Sequence, residues 1–304
     1  MRALVTGGAG FIGSNIARRL LERGDEVRIL DNMSAGREDA VPEGAELLKL
    51  DLRDPDALAE VTDVDVIFHQ AAVRSVPRSL DEPRITHDSN VNGTLNLLLA
   101  AEKHTVKRLV YASSSSVYGD VGDQKNVETL PPSPLSPYAA SKLTGEYYCK
   151  VWALHGRVST TSLRYFNVFG PGQHPESKYS AVFPAFISAL QRGESPTIYG
   201  DGEQRRDFTF IDDVVDANLK AAESDRAHGE VINAASGNPR SVNELLRAVA
   251  NGLGTWIEPT HAGPRPGDIR NSYADISKAR DLLAWEPLVP WDEAVRSTVK
   301  WFAG

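Results

Sequence analysis

The chain has 304 residues with 41 acidic against 33 basic side chains, a formal charge of −8, 41% hydrophobic residues and one cysteine. That length suits about two domains' worth of chain around a substantial core, and the lone thiol, Cys149, cannot form an internal disulfide, so a reducing compartment, the cytoplasm, is expected. An acidic balance without a basic tract argues against nucleic acid as a partner; the longest apolar stretch, residues 95–101, is far short of the roughly 20 residues that cross a bilayer, and Met1 runs straight into a strand-like segment without a secretory leader, so no membrane partner is expected either.

Apolar runs suited to buried strands fall at residues 2–6, 26–30, 46–50, 64–69 and 108–113. Between them, at 13–23, 55–60 and 91–103, apolar residues recur at spacings of three and four, which predicts helices. This alternation implies an α/β fold with a doubly wound parallel sheet. From about Gly170 Pro and Gly punctuate shorter elements, as in a smaller mixed α/β lobe. Residues 208–222 and 231–235 again read as helix and buried strand. The expected division is therefore 1–169 with about 208–235 in the larger domain, and about 170–207 with 236–304 in the smaller lobe. Residues 285–301 read as a closing amphipathic helix. The seven histidines have no ligand spacing, so no metal is expected.

The first run ends in a turn with glycines at 7, 10 and 13, enclosing Phe11 and Ile12. In a strand–turn–helix context Gly7 permits the tight turn, Gly10 lets the backbone approach a pyrophosphate, and Gly13 lets the helix pack closely. Asp31, at the end of the second strand, can accept bonds from an adenosine ribose and repels a 2′-phosphate, so the expected cofactor is NAD rather than NADP. A second constellation joins Ser113, Ser114, Ser115 and Ser116 at a strand end to Tyr138 and Lys142 at the start of a helix. Residues at i and i+4 share a helix face, so the Lys142 ammonium is expected beneath the Tyr138 phenol. An ordinary tyrosine titrates near pH ~10, and a nearby cation makes the phenolate a usable base closer to neutrality.

The glycine turn, Ser114 with Tyr138 and Lys142, and the segment from Arg164 through Phe166 and Asn167 to Gly170 resemble the extended short-chain dehydrogenase/reductase family and its NAD-dependent epimerase/dehydratase group. The resemblance spans essentially the whole chain and implies a Rossmann-type NAD domain with a UDP-sugar lobe. By it, Asp31, Asn32, Ser34 and Gly36 hold the adenosine ribose and phosphate, and Asp51 and Leu52 border the adenine. Gln70, Ala71, Ala72, Asn90 and Phe166 line the rest of the groove. The same resemblance gives the substrate Ser114, Ser115, Ser116, Asn167, Ala181, Val182, Tyr199 against the uracil, Arg206 and Arg265 on the diphosphate, and Asp268 on a ribose. Helices around 91–103 and 138–154 are expected to pack in a homodimer.

Within that family, 4,6-dehydratases resemble Thr-Asp-Glu, and glucuronate decarboxylases Thr-Ser-Glu, where this chain has Ser114, Ser115 and Ser116. Without the carboxylates, oxidation at C4 and its reversal remain, which implies a 4-epimerase. Ser272, four residues past Asp268, stands where the resemblance places a gate beside the sugar C2 substituent, and its small side chain leaves room for an acetamido group. The expected substrates are UDP-GlcNAc and UDP-GalNAc; UDP-glucose with UDP-galactose comes next, then UDP-glucuronate, for which His174 replaces an arginine of the glucuronate epimerases. An NAD(H)-binding regulator without catalysis, and a net reductase, are the remaining alternatives.

Overall fold

A computed structural model describes residues 1–60, 63–173, 182–264 and 269–303. β1 (Arg2–Thr6) passes through the glycine turn into α1 (Phe11–Glu22), and β2 (Glu26–Leu30), β3 (Glu46–Leu48) and β4 (Val66–His69) follow. Then come α2 (Val76–Asp81), α3 (Pro83–His87), a π turn at Asp88–Asn92 and α4 (Gly93–Lys103). β5 (Arg108–Ser114) ends in a 3-10 turn, Ser115–Tyr118; α5 (Pro137–Leu154) and β6 (Ser159–Tyr165) complete the first half. The second half holds β7 (Val168–Phe169), α6 (Val182–Gln191), β8 (Thr197–Tyr199), β9 (Arg205–Arg206), β10 (Thr209–Phe210), α7 (Ile211–Glu223) and β11 (Glu230–Ala234). It closes with β12 (Arg240–Ser241), α8 (Val242–Leu253), β13 (Thr260–Ala262), β14 (Asn271–Ser272), α9 (Ser277–Leu283) and α10 (Trp291–Ala303).

Seven strands form one parallel sheet in the order β11-β6-β5-β4-β1-β2-β3. Because successive side chains of a strand point to opposite faces, Ala3 and Val5 enter one core and Leu4 the other; Val110 and Ala112 part from Leu109 and Tyr111 in the same way. α1 and α7 pair on the first face, while α4 and α5 pair beside the second core. Each fully buried Leu or Ile of these faces contributes about 1.5–3 kcal/mol relative to exposure. The winding reverses at β1, which has β2 on one side and β4 on the other, so the crevice at the carboxyl ends of β1 and β4 is where such sheets take ligands.

Three sequence expectations are corrected. The third strand stops at Leu48 because the chain turns at once, Leu50 N donating to the Leu48 carbonyl at 2.9 Å. The helix expected at 55–60 is only a 3-10 turn, Ala57–Glu60, because the Asp54 carboxylate takes the Asp56 and Ala57 amides at 3.0 and 3.4 Å. The closing helix starts later than expected, at Trp291, and Trp285 is a buried anchor ahead of it. Smaller pairings carry the second lobe: β8 with β13, and β9 between antiparallel β12 and parallel β14. Stacked Phe169 and Phe183, with ring centroids 4.2 Å apart, join Phe208, Phe210 and Trp291 in an aromatic cluster.

α5 lies unusually near β5. A Cβ on Gly145 would fall 2.2 Å from the Tyr111 Oη, inside a fully buried contact. Gly145→Ala should cost about 1–3 kcal/mol through overpacking, read as a lowered thermal midpoint; an unchanged midpoint would show that α5 can retreat freely.

Candidate active site

The glycine turn is shaped by contact rather than by composition alone. Gly7 has φ +67°, donates to the Leu30 carbonyl at 2.8 Å, and leaves no room for a Cβ, which would sit 2.7 Å from Ala71 N. A Cβ on Gly13 would lie 2.3 Å from the Gly7 carbonyl oxygen, so α1 can start this close to β1 only with glycine there. α1 has no side-chain cap and no acidic residue in its first turn. Its unsatisfied amides and positive dipole end therefore suit a pyrophosphate. Asp31, buried at the end of β2, accepts from Ala9 N at 3.1 Å and Met33 N at 2.9 Å, and Gly36 packs against its carboxylate. Asn32 bonds both Ser34 and Asp51, and Arg53 holds the Asp51 carboxyl well below the usual carboxylate range. Asp31, Asn32, Ser34, Gly36 and Asp51 thus form one cluster beside the turn, a donor and acceptor set that fits an adenosine ribose.

The side chains of several other expected groove residues are engaged within the protein. Leu52 puts its side chain into the core with Leu4 and Leu30, and its carbonyl receives Asn96. Phe166 is fully buried against Tyr118 and Ile276, so its ring does not line a groove. Gln70 is held by Tyr165 and Asn218. Asn90 is buried and wholly engaged: its amide brackets the Val73 peptide at 2.7 and 3.2 Å and donates to Ser141 at 2.9 Å. Ala71 lies beneath Gly7, and Ala72 continues the same loop.

Ser136 caps α5 through the Ala139 amide, and Pro137 starts the helix, which brings Tyr138 to the end of β5. Ser114 there lies near enough to the Tyr138 phenol to pull it down, and accepts from the Ser116 amide and hydroxyl at 3.2 and 2.9 Å. Lys142, one turn on, is buried; its Nζ donates to the Ala112 carbonyl at 2.8 Å and stands 5.0 Å above the Tyr111 ring. Burial pulls this ammonium down to about 8. Without cofactor, burial pushes the Tyr138 phenol up, while Ser114 and Arg74 pull it down. Sequence reading passed over Arg74, although it follows the Gln70 to Ala72 segment closely.

In the smaller lobe, β9 and β14 pair with Arg206 directly opposite Ser272, so both side chains rise on one face. Asn167 follows β6 with φ +31° and donates to the Asp207 carbonyl at 3.3 Å. Tyr199 ends β8, half exposed, and Val182 opens α6. Ala181, Arg265 and Asp268, with His174, lie outside the described residues. Asp207, also not foreseen, is fully buried and accepts from Ser236 N and Oγ, Gly237 N and Ala274 N at 2.6–3.2 Å, tying β9 to the end of β11. The loop after β7 closes on α1, where Asn15 donates to the Pro171 carbonyl at 3.4 Å. No cluster of three or more metal-ligating side chains occurs among the described residues.

The model of the NAD-dependent epimerase/dehydratase family matches residues 3–235. The chain belongs to this family. Over its whole length it is also similar to a UDP-glucose 4-epimerase of Mycolicibacterium smegmatis, 38% identical with 99% of this chain and 98% of the relative covered. A solved UDP-N-acetylglucosamine 4-epimerase from Methanobrevibacter ruminantium, in complex with UDP-N-acetylmuramic acid, superposes with a TM-score of 0.95 at 40% identity over 99% and 98% of the chains. The Thermus thermophilus UDP-glucose 4-epimerase in complex with NAD gives 0.92 at 38% identity over 100% and 99%. The cofactor of this family member is NAD, and the glycine turn and Asp31 cluster fit it. Asp31→Ala should admit NADP, with its affinity approaching that for NAD in a binding titration; continued exclusion of NADP would remove Asp31 from cofactor choice.

Proposed function

We propose that this NAD-dependent UDP-sugar 4-epimerase favours UDP-GlcNAc and UDP-GalNAc. The observation that carries the reading is the register of Ser272 against Arg206, which sets a small hydroxyl beside the cation suited to the substrate diphosphate. A serine there leaves volume for a C2 acetamido group. In this reading Asn167, Val182, Tyr199 and Arg206, with Ala181, Arg265 and Asp268, hold the UDP moiety, and the smaller lobe around β8, β9, β13 and β14 is the UDP-sugar lobe.

Tyr138, as phenolate, takes the proton of the sugar 4-OH directly or through Ser114, and Lys142 supplies the neighbouring positive charge. NAD, when bound, accepts the C4 hydride and its nicotinamide adds positive charge near the phenol. The resulting 4-keto sugar turns over in the pocket, the same hydride would return to C4 from the other face, and Tyr138 returns the proton to O4 as the opposite epimer forms. Ser115 and Ser116 offer no carboxylate at C5 or C6, which suits epimerisation rather than loss of water or of carbon dioxide. A second reading, UDP-glucuronate, is supported by Arg74, a cation close enough to Tyr138 to act on its charge. We further infer a homodimer through α4 and α5, on which Leu99, Tyr147, Val151 and Leu154 are 45–79% exposed; a monomeric mass in solution would remove this inference.

Incubation with a panel of UDP-hexoses, followed by NMR at C4, should show the highest kcat/KM for the N-acetylated pair. Ser272→Tyr should reduce that pair's turnover at least about tenfold while sparing UDP-glucose, since a pocket that loses room for a substituent discriminates by about 1–3 kcal/mol. Equal losses on both pairs, or turnover of UDP-glucuronate alone, would overturn the substrate assignment.

A further inference from the structure

Behind Tyr138 and Lys142, the next turn of α5 carries Glu146, which the proton-transfer scheme does not use. Its carboxylate is 2% exposed and receives the Arg164 guanidinium of β6 in a bidentate pair, Nε to Oε1 at 2.8 Å and Nη2 to Oε2 at 2.7 Å. Arg164 is itself 3% exposed, lies 4.4 Å above the Tyr118 ring, and keeps one buried Nη1 without a hydrogen-bond partner among the described residues. The Ser113 hydroxyl also donates to Glu146 Oε1. A paired charge at this depth costs several kcal/mol of desolvation per ion. Tight packing alone would be served by apolar side chains, so the position of the pair matters.

That position is ordered. Tyr138, Lys142 and Glu146 stand at successive i+4 steps on one face of α5. They face three consecutive residues of β5: Tyr138 lies by Ser114, Lys142 donates to the Ala112 carbonyl, and Glu146 receives Ser113. Of these contacts only the third continues to another strand, through Arg164 to β6. We propose that the Glu146–Arg164 pair is a positioning element that fixes the face of α5 bearing Tyr138 and Lys142 against the end of β5. The proposal rests on the assignment of proton transfer to Tyr138 and Lys142.

Charge follows from the same geometry. The groups near Lys142 are Tyr138, Glu146 and Cys149 on its own helix, His69 from β4 and Tyr111 from β5, and behind Glu146 stands Arg164 of β6 over the Tyr118 ring. Arg84, His87 and Asp88 border the far side of α5, with Ala140 and Thr144. Burial lowers the ammonium to about 8, and Glu146 is one of the two groups holding it up. Removing the carboxylate alone leaves Arg164 buried and unpaired, which repels a proton on Lys142; removing both charges relieves that repulsion.

The test measures kcat against pH, together with NAD and UDP binding, on the UDP-hexose that wild type turns over fastest. In Glu146→Gln the alkaline limb, where Lys142 loses its proton, should move down by about one pH unit, in line with the effect of a single nearby charge. In Glu146→Gln combined with Arg164→Met it should return toward the wild-type position. Glu146→Asp keeps the charge but shortens the anchor; its limb should stay while kcat falls about tenfold at unchanged KM, and it serves where the neutral variants fail to fold. An unmoved limb in Glu146→Gln, the same displacement in single and double variants, or wild-type kcat in Glu146→Asp would overturn the proposal. Tyr138→Phe separates the two levels: full activity in that variant refutes the underlying assignment of the base, whereas its inactivity beside unaltered Glu146 variants refutes only the positioning role.

Discussion

The distance between α5 and β5 is the constraint on which the rest of the site depends. Gly145 removes the one side chain that would hold them apart, and Tyr111 occupies the space it leaves. Only at that approach can Ser114 reach the Tyr138 phenol and Lys142 reach the Ala112 carbonyl. The same packing closes water away from both groups, which is why the phenol lies above its ordinary value and the ammonium below it. Burial thus shifts each group toward its neutral form, and the Lys142 ammonium, at about 8, stays charged at neutral pH. A cofactor that brings positive charge to this place tips the tyrosine toward phenolate when catalysis requires it.

The second organising feature is local attraction inside an acidic protein. The chain carries −8 overall, yet the N-terminus of α1 has no side-chain cap and Arg206 stands opposite Ser272, two places suited to small anions. Acidic Asp31 sits between backbone amides of the same turn and is satisfied by them. Asp207 does comparable work in the smaller lobe, where one carboxylate gathers four donors and ties the strand carrying Arg206 to the main sheet. Bulk acidity therefore does not oppose a small anionic ligand.

Much of this was legible in the sequence wherever the signal is local. Glycines 7, 10 and 13 and the step from Tyr138 to Lys142 are short-range patterns whose geometry follows from one turn or one helix. β6 was not read, because Thr160, Thr161 and Ser162 look polar; in the fold they are buried, and Thr160 and Thr161 bond the Cys149 and Ala227 carbonyls. Two-residue strands such as β9 and β14 leave no periodicity, so the pairing of Arg206 with Ser272 emerges only in the structure. Phe166 lies in a motif segment, but its ring turns into the core, which its motif position does not reveal. Glu146 drew no notice in the sequence, because its partner Arg164 arrives from a strand 18 residues on, a pairing that no local pattern shows.

The central claim is that the chain oxidises and re-reduces the same carbon within one closed site. A UDP-hexose deuterated at C4, incubated in ordinary water, tests this most directly. The account predicts that both epimers keep deuterium at C4, because hydride leaves that carbon and returns to it while only the 4-OH proton passes through Tyr138. Loss of the label to solvent, with epimers forming at an undiminished rate, would contradict it.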